Sequence, residues 1–229
     1  MKILALESSG QLLHLAVANQ DIFVSQTRRN NKSFSEVLMS EIVALCEEVG
    51  LKLKELDLVV TAGGPGSFTS LRVGYASAKG IAMAANIPLV SLSTLEVLAY
   101  PLAQFEAPVL AALDARKGRY YCALFNKGER ISDDYDATVE EIVALIAPLE
   151  EVILTGSDTE GLYTKVCDVV TQQAIKTKIH RDNLIYRDLG ESMLKLGRKL
   201  YLAQGGDPPS KGPTYVRKSD AEVSLKDRS

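Results

Sequence analysis

A strand–turn–strand opening occurs twice in this chain of 229 residues. The first copy is the apolar run Lys2 to Glu7, the turn Ser8-Ser9-Gly10 and the run Leu12 to Val17. The second is Val109 to Asp114, the turn Arg116-Lys117-Gly118 and the run Arg119 to Phe125. Short apolar runs bounded by turn residues read as buried strands. In the first copy a third strand, Ile22 to Thr27, follows Asn19-Gln20-Asp21, which predicts an antiparallel meander. Leu4-Ala5-Leu6-Glu7 and Ala111-Ala112-Leu113-Asp114 stand at matching places, and each is followed by further strands and helices. The pattern is a faint repeat of a βββαβα unit. It divides the chain into 1–105 and 106–220, with 221–229 as a charged, disordered tail. The length suits one large domain or two small ones sharing a core.

Helical segments follow from period and punctuation. Ser33-Phe34-Ser35-Glu36 has capping-box spacing. Phe34, Leu38, Ile42, Leu45 and Val49 then recur at three and four, and Gly50 closes the helix. Leu56 to Thr61 is a buried strand, and a glycine-rich loop leads into a second helix ending near Ala85. Pro88 to Leu92 is a strand, and Ser93 to Glu96 a second capping box. Thr138 to Ala147, Thr159 to Val169 and Asp182 to Ala203 read as helices. The last is expected to pack back across the boundary and to end at Gly205-Gly206 and Pro208-Pro209.

Composition removes several function classes. Net charge is −3 and the pI about 5.6, so no global basic field draws nucleic acid, and any such contact has to run through a partner. Aromatics are only 6% with no Trp, which weakens base stacking. Cys46, Cys122 and Cys167 are far apart and odd in number, suiting neither a disulfide framework nor a zinc knuckle; a reducing cytoplasm is expected. No apolar run approaches the ~20 residues of a membrane span.

The strongest local signal is Gly63-Gly64-Pro65-Gly66-Ser67-Phe68-Thr69-Ser70-Leu71-Arg72-Val73-Gly74. It reads as strand end, glycine turn and helix start, with Ser67 or Thr69 as cap and exposed N–H groups as an anion site. Standard motifs do not fit. A phosphate-binding P-loop needs Gly-Lys-Ser/Thr, and this loop has no Lys. A nucleophile elbow needs glycines flanking the serine at two positions, where Ser67 has Pro65 and Thr69. A dinucleotide fingerprint lacks its third glycine.

The stretch from Gly64 to Gly74 resembles the signature of the TsaB (YeaZ-like) family of bacterial tRNA threonylcarbamoyladenosine synthesis. Three further blocks resemble that family in order: Ile3 to Ser9, Ala112 to Gly118 with Tyr120-Tyr121, and Pro213-x-Tyr215-Val216-Arg217. The resemblance implies an actin/Hsp70/sugar-kinase-like α/β fold with two ribonuclease-H-like halves. It also implies a non-catalytic accessory subunit that binds a TsaD-type catalytic paralogue, with a TsaE-type ATPase joining. It further implies a homodimer through the same face when alone, and tRNA contact only through the complex. ATP or ADP and a metal are expected in the partners, and no cofactor in this chain alone. Three positions depart from the family: Ser70 stands for Gly, Glu7 for the commoner Asp, and Phe34 where a His is frequent.

The catalytic paralogue holds its metal with two histidines four apart on one helical face. This chain has only His14, in a strand, and His180, read as a loop residue. No metal site and no catalytic residue are therefore expected. Glu7 and Asp114 admit two readings. They either stabilise their turns by accepting backbone N–H bonds, or help place phosphate and Mg²⁺ as in nucleotide-using members of the fold. The second would make Glu7, Ser8, Gly66, Ser67 and Asp114 an anion or nucleotide turn, although Asp114 to Gly118 is poor in glycine.

The helix from Thr69 to Ala85 is rich in Gly and Ala, and Gly74 and Gly80 imply tight packing. The family's interface is a bundle of this helix and the Ser33 to Val49 helix with their counterparts. Val37, Leu38 and Glu41 with Arg72, Tyr75 and Lys79 are the candidate partner-binding residues. The alternatives are a stand-alone nucleotide-dependent phosphotransferase of the same fold, and a peptidase.

Overall fold

The structure, a computed structural model, describes residues 1–29, 34–156, 159–184 and 187–217. Three antiparallel strands open it: β1 (Lys2–Glu7), β2 (Leu12–Asn19) and β3 (Ile22–Arg29). Then come α1 (Phe34–Glu48), β4 (Leu58–Gly64), α2 (Phe68–Ala85), β5 (Leu89–Ser93) and α3 (Thr94–Ala99). The first sheet has the order β3-β2-β1-β4-β5, with β4 parallel to both β1 and β5.

The second sheet repeats this arrangement. Its elements are β6 (Val109–Asp114), β7 (Tyr120–Asn126), β8 (Glu129–Arg130), β9 (Tyr135–Ala137), α4 (Val139–Ile146), β10 (Glu151–Gly156), α5 (Thr159–Gln172) and β11 (Lys178–Arg181). The order β8-β7-β6-β10-β11 places the meander on one side and the parallel strands on the other, as in the first sheet; β9 also pairs with β7. A final helix, α6 (Gly190–Gln204), packs on the first sheet.

Both sheets are covered on two faces, which is why their central strands are almost wholly apolar. Side chains alternate: Leu4, Leu6, Leu13 and Leu15 meet α1 and α2, while Ile3, Ala5, Ala16 and Val60 meet α6. In the second sheet Leu110, Cys122 and Leu154 face α4 and α5. Its other side, Val109, Ala111, Ala123 and Phe125, packs on Leu95 and Ala99 of α3. The short helix α3 is thus a wedge against the second sheet.

Four local expectations need correction. The segment read as one helix from Asp182 starts its helix only at Gly190, because Asp182 makes side-chain bonds to Thr155 and Arg187 instead. His180 lies in β11, not a loop. Ser93 sits at the head of α3, but its hydroxyl accepts from Arg130 Nη2 at 2.8 Å and caps nothing. The run Glu151 to Gly156, assigned no element above, is a strand whose β-branched Val152-Ile153 suit a sheet. Ser33 and the tail 221–229 lie outside the described residues. No helix among the described residues is long and apolar enough to cross a membrane.

Candidate functional site

The glycine-rich loop joins β4 to α2, and the turn after β1 lies against it. Ser67 N donates to Ser9 O at 2.7 Å, and Ser8 Oγ donates to Ser70 O at 3.0 Å. Gly74 lets Ser8 approach: a Cβ there would overlap the Ser8 hydroxyl. Ser67 occupies the cap position of α2 but its side chain does not cap; it accepts from Ser70 Oγ at 3.2 Å.

The five residues read as an anion or nucleotide turn do not form one group. Glu7 and Ser8 are buried. Glu7 Oε1 accepts from Ser9 N at 2.5 Å, and Asp114 Oδ1 accepts from Arg116 N at 2.7 Å. Each carboxylate therefore bonds the N–H two residues on, in the same place of each repeat, as an Asx-type turn does. Gly66, Ser67 and Asp114 instead line an open cleft between the two sheets, with Gln11, Arg116 and Arg217. Two amides that an anion would need, Ser9 N and Ser67 N, are already bonded inside the protein.

One wall of that cleft is the chain's own C-terminal segment, which returns from α6 as a strap. Asp207 Oδ2 accepts from Ser91 N at 2.8 Å, and Thr214 N donates to Gly63 O at 2.7 Å. Gly64, at φ +112°, has no side chain to block it; a Cβ would lie 2.5 Å from Thr214 O. Lys79 Nζ donates to Pro209 O at 2.6 Å and Lys211 O at 3.2 Å. The Arg72 guanidinium lies 3.8 Å from the centroid of Phe68, and its Nε donates to Tyr215 Oη at 3.2 Å. The Tyr215 ring packs on Phe68 with centroids 4.7 Å apart. Arg217 then crosses to the second sheet, where Nε donates to Asp136 Oδ2 at 2.8 Å. Burial opposes ionisation of Asp136, but hydrogen bonds and charge from Arg217 and Arg119 hold its carboxyl below the usual carboxylate range.

The candidate partner-binding residues are therefore mostly committed inside the chain. Leu38 and Tyr75 are core residues, 1% and 3% exposed, packed with β1 and β2. Burial pushes the Tyr75 phenol up, and its hydroxyl is enclosed near Ser91 without a full hydrogen bond. Glu41 accepts from Gln26 Nε2 at 2.8 Å and from Arg28 Nη1. Arg72 and Lys79 hold the strap, and Val37 is half-buried. The unpartnered apolar surface of α1 and α2 is a different one. Met39, Val43 and Met83 are 44%, 39% and 73% exposed, and a groove lined by Met39, Gly80, Ile81 and Ala84 runs between the helices. Gly80 has nothing within 4 Å of its Cβ position, so among the described residues it does not make the tight packing expected of it; Gly74 does. A second stripe was readable in the sequence: 39 and 43 on one helix, and 80, 83 and 84 on the other, each at helical spacing beside the core stripe.

His14 and His180 are far apart in setting. His14 is buried, with Nδ1 2.9 Å from Thr27 Oγ1 and Nε2 3.9 Å from Glu7 Oε2. Desolvation lowers its pKa despite the opposing charges of Glu7 and Asp188. A neutral ring beside an acceptor-only carboxylate is assigned its proton on Nε2, with Nδ1 accepting from the Thr27 hydroxyl. His180 is exposed and pairs with Glu151 at 3.1 Å. Among the described residues no group of three or more His, Cys, Asp or Glu is placed to hold a metal ion.

Two sheets of one strand order, each with helices on its faces and with a cleft between them, define a protein of the actin/Hsp70/sugar-kinase-like class. Residues 22–197 match the family described as TsaD, tRNA N6-adenosine threonylcarbamoyltransferase, and the chain belongs to that family, in its TsaB (YeaZ-like) branch. It is 27% identical over 230 residues to the tRNA threonylcarbamoyladenosine biosynthesis protein TsaB of Bacillus subtilis, covering 97% of each chain. It is 28% identical over 131 residues to the protein of that name from Escherichia coli, covering 56% of this chain and 57% of the other. The fold is similar to that of YeaZ from Pseudomonas aeruginosa, with TM-score 0.75 at 21% identity over 94% of this chain and 99% of that one. A second solved structure, described as similar to peptidase YeaZ from that organism, aligns with TM-score 0.77 at 23% identity and the same coverage.

Proposed function

We propose that this chain is a non-catalytic scaffold subunit of tRNA threonylcarbamoyladenosine biosynthesis. It presents the α1–α2 face to a TsaD-type catalytic paralogue, and a TsaE-type ATPase completes the assembly. The observation that carries this reading is the apolar face of Met39, Val43, Gly80, Met83 and Ala84, which no described part of the chain covers. Exposed apolar patches of this kind mark protein–protein contacts. Alone, the chain closes the same face on a second copy. The locked amides and buried Glu7 support a scaffold over a phosphotransferase, because phosphate and Mg²⁺ need free donors and an accessible carboxylate. With a net charge of −3, tRNA is reached through the complex.

The test pairs two variants with two readouts. Gly80→Arg and Met83→Asp fill or charge open surface, so both fold. Each is expected to weaken self-association in sedimentation, to reduce co-purification with the host's paralogue, and to lower tRNA modification in a reconstituted assay. Unchanged association and modification in both variants would overturn the reading. Mg-ATP turnover by the isolated chain, lost in Asp114→Ala, would replace it with the phosphotransferase.

A further inference from the structure

A second, more enclosed cavity lies between the two sheets; it adjoins the open cleft, sharing Ser9, Gly10, Gln11 and Leu113 with it, and is remote from the α1–α2 face. Its walls include Glu7, Ser9, His14, Thr94, Thr155, Asp182 and Arg187, and its volume is about 70 Å³. That is room for several waters, or for the polar end of a small molecule.

The polar groups around it are left unsatisfied in a consistent way. Four buried side-chain atoms among the described residues lack a hydrogen-bond partner, and three of them line this cavity: Ser9 Oγ, Thr94 Oγ1 and Arg187 Nε. Ser9 and Thr94 are each 2% exposed. Orphaned buried polar atoms are costly and uncommon, so their convergence on one space marks a site built for something.

Charge narrows what that is. Arg187 is already balanced: Nη2 donates to Asp182 Oδ1 at 2.9 Å, and Asp182 also accepts from Thr155 Oγ1 at 2.8 Å and Leu184 N at 3.1 Å. Its Nε–H still needs an acceptor. Glu7 is the opposite case. Its Oε1 serves the turn, while Oε2 meets only His14 Nε2 at 3.9 Å, beyond a hydrogen bond. Burial disfavours the charged form of His14, and Arg29, the other basic side chain on the cavity wall, donates to Gln11 Oε1 at 2.6 Å, so among the described residues no Lys or Arg forms an ion pair with Glu7. Buried charges are ordinarily paired. Water satisfies hydrogen bonds but supplies no charge.

From this arrangement we infer that the cavity binds a small zwitterion with an ammonium group and a carboxylate, of which a free α-amino acid is the simplest. The ammonium pairs with Glu7 Oε2. The carboxylate accepts from Arg187 Nε–H, with the Ser9 and Thr94 hydroxyls as further donors. The site is mixed in charge, so a doubly charged phosphate and a bare cation each leave one end unmatched. No reaction is assigned to it; the ligand reports on, or stabilises, the way the two sheets sit together, because Glu7 and Ser9 come from the first repeat and Thr155 and Asp182 from the second.

The experiment is a thermal-shift and calorimetric titration of the full chain with a panel of free L-amino acids, and with glycerol and potassium chloride as comparison probes. One or more amino acids is expected to bind saturably and to raise the melting temperature. Glu7→Gln, which keeps an acceptor for Ser9 N, removes the charge and is expected to weaken binding by about tenfold or more. Thr94→Val deletes a hydroxyl that bonds nothing in the protein, so the unliganded melting temperature stays while affinity falls. If Glu7→Gln fails to fold, Thr94→Val alone decides. The inference is overturned if no amino acid binds, if neither variant affects binding, or if glycerol or potassium chloride stabilises the protein equally.

Discussion

The Ser8 hydroxyl occupies the space that a side chain on Gly74 would need, and from there it donates to Ser70 O at 3.0 Å. This contact seats the turn after β1 on the first two turns of α2. Both partners come from the signature blocks of the sequence, sixty-odd residues apart in the chain. Gly74→Ala is expected to destabilise the fold by about 1–3 kcal/mol, the usual cost of overpacking. Urea denaturation measures it. Ser8→Gly added to Gly74→Ala removes the clash, so the double variant should be more stable than Gly74→Ala alone.

The strap is expected to loosen in acid. The Asp136 pKa lies below its unfolded value, so its contribution is present above the ordinary carboxylate range and is lost as pH falls through the lower folded value. Amide exchange at Thr214, whose N–H is held by Gly63 O, should accelerate as the pH is lowered below about 4 relative to core amides. Arg217→Ala should produce the same loosening at neutral pH. Lys79→Ala should also loosen the strap while leaving the association proposed for Met39 and Met83 intact, which separates the two surfaces of α2.

His14 predicts a stability slope on the acid side of neutrality. Its folded pKa is lowered from 6.5, so below that value the unfolded chain takes up a proton that the folded protein refuses. Stability is therefore expected to fall as pH drops from about 6.5 toward the folded pKa, and to level off below it. His14→Gln, which keeps a partner for Thr27, should flatten this part of a melting-temperature profile. An unchanged profile would show that other groups carry it.

Thiol reactivity should sort the cysteines. Burial pushes Cys46 up to about 11 and Cys122 up to about 12. Thiolate is the reacting form, so neither should react with an aromatic disulfide reagent near neutral pH. Cys167, which is partly exposed, is expected to give the single fast equivalent in the folded protein, and unfolding in denaturant should release the other two.

The repeat was readable because buried strands leave continuous apolar runs, and both openings end in an acidic residue before a turn. The helical face of Leu38, Ile42, Leu45 and Val49 was readable for a similar reason: core contacts impose a period. Which polar residues meet was not. Asp182, Arg187 and Asp188 lie before the start of α6, where Asp182 bonds Thr155, Leu184 N and Arg187, and Asp188 bonds Gly190 N. Tyr75 looked like an interface anchor because it is large and amphipathic; period alone cannot say which side of α2 faces the core when both sides hold small residues.

Local chemistry along the chain was sufficient for the class of fold and the family, since strand runs, glycine turns and signature blocks are short-range patterns; for Glu7 and Asp114 it left two roles open, and their bonds to Ser9 N and Arg116 N are features of the folded structure. Tertiary structure alone decided that Arg72 and Lys79 bind the returning C-terminal segment and that Met39, Gly80 and Met83 stay free. It also decided that Glu7, Thr94 and Arg187 close around one cavity. The physical reason is that these contacts join residues about 85 to 180 positions apart, and loop closure over such lengths costs little more than over short ones, so sequence distance carries almost no information about them.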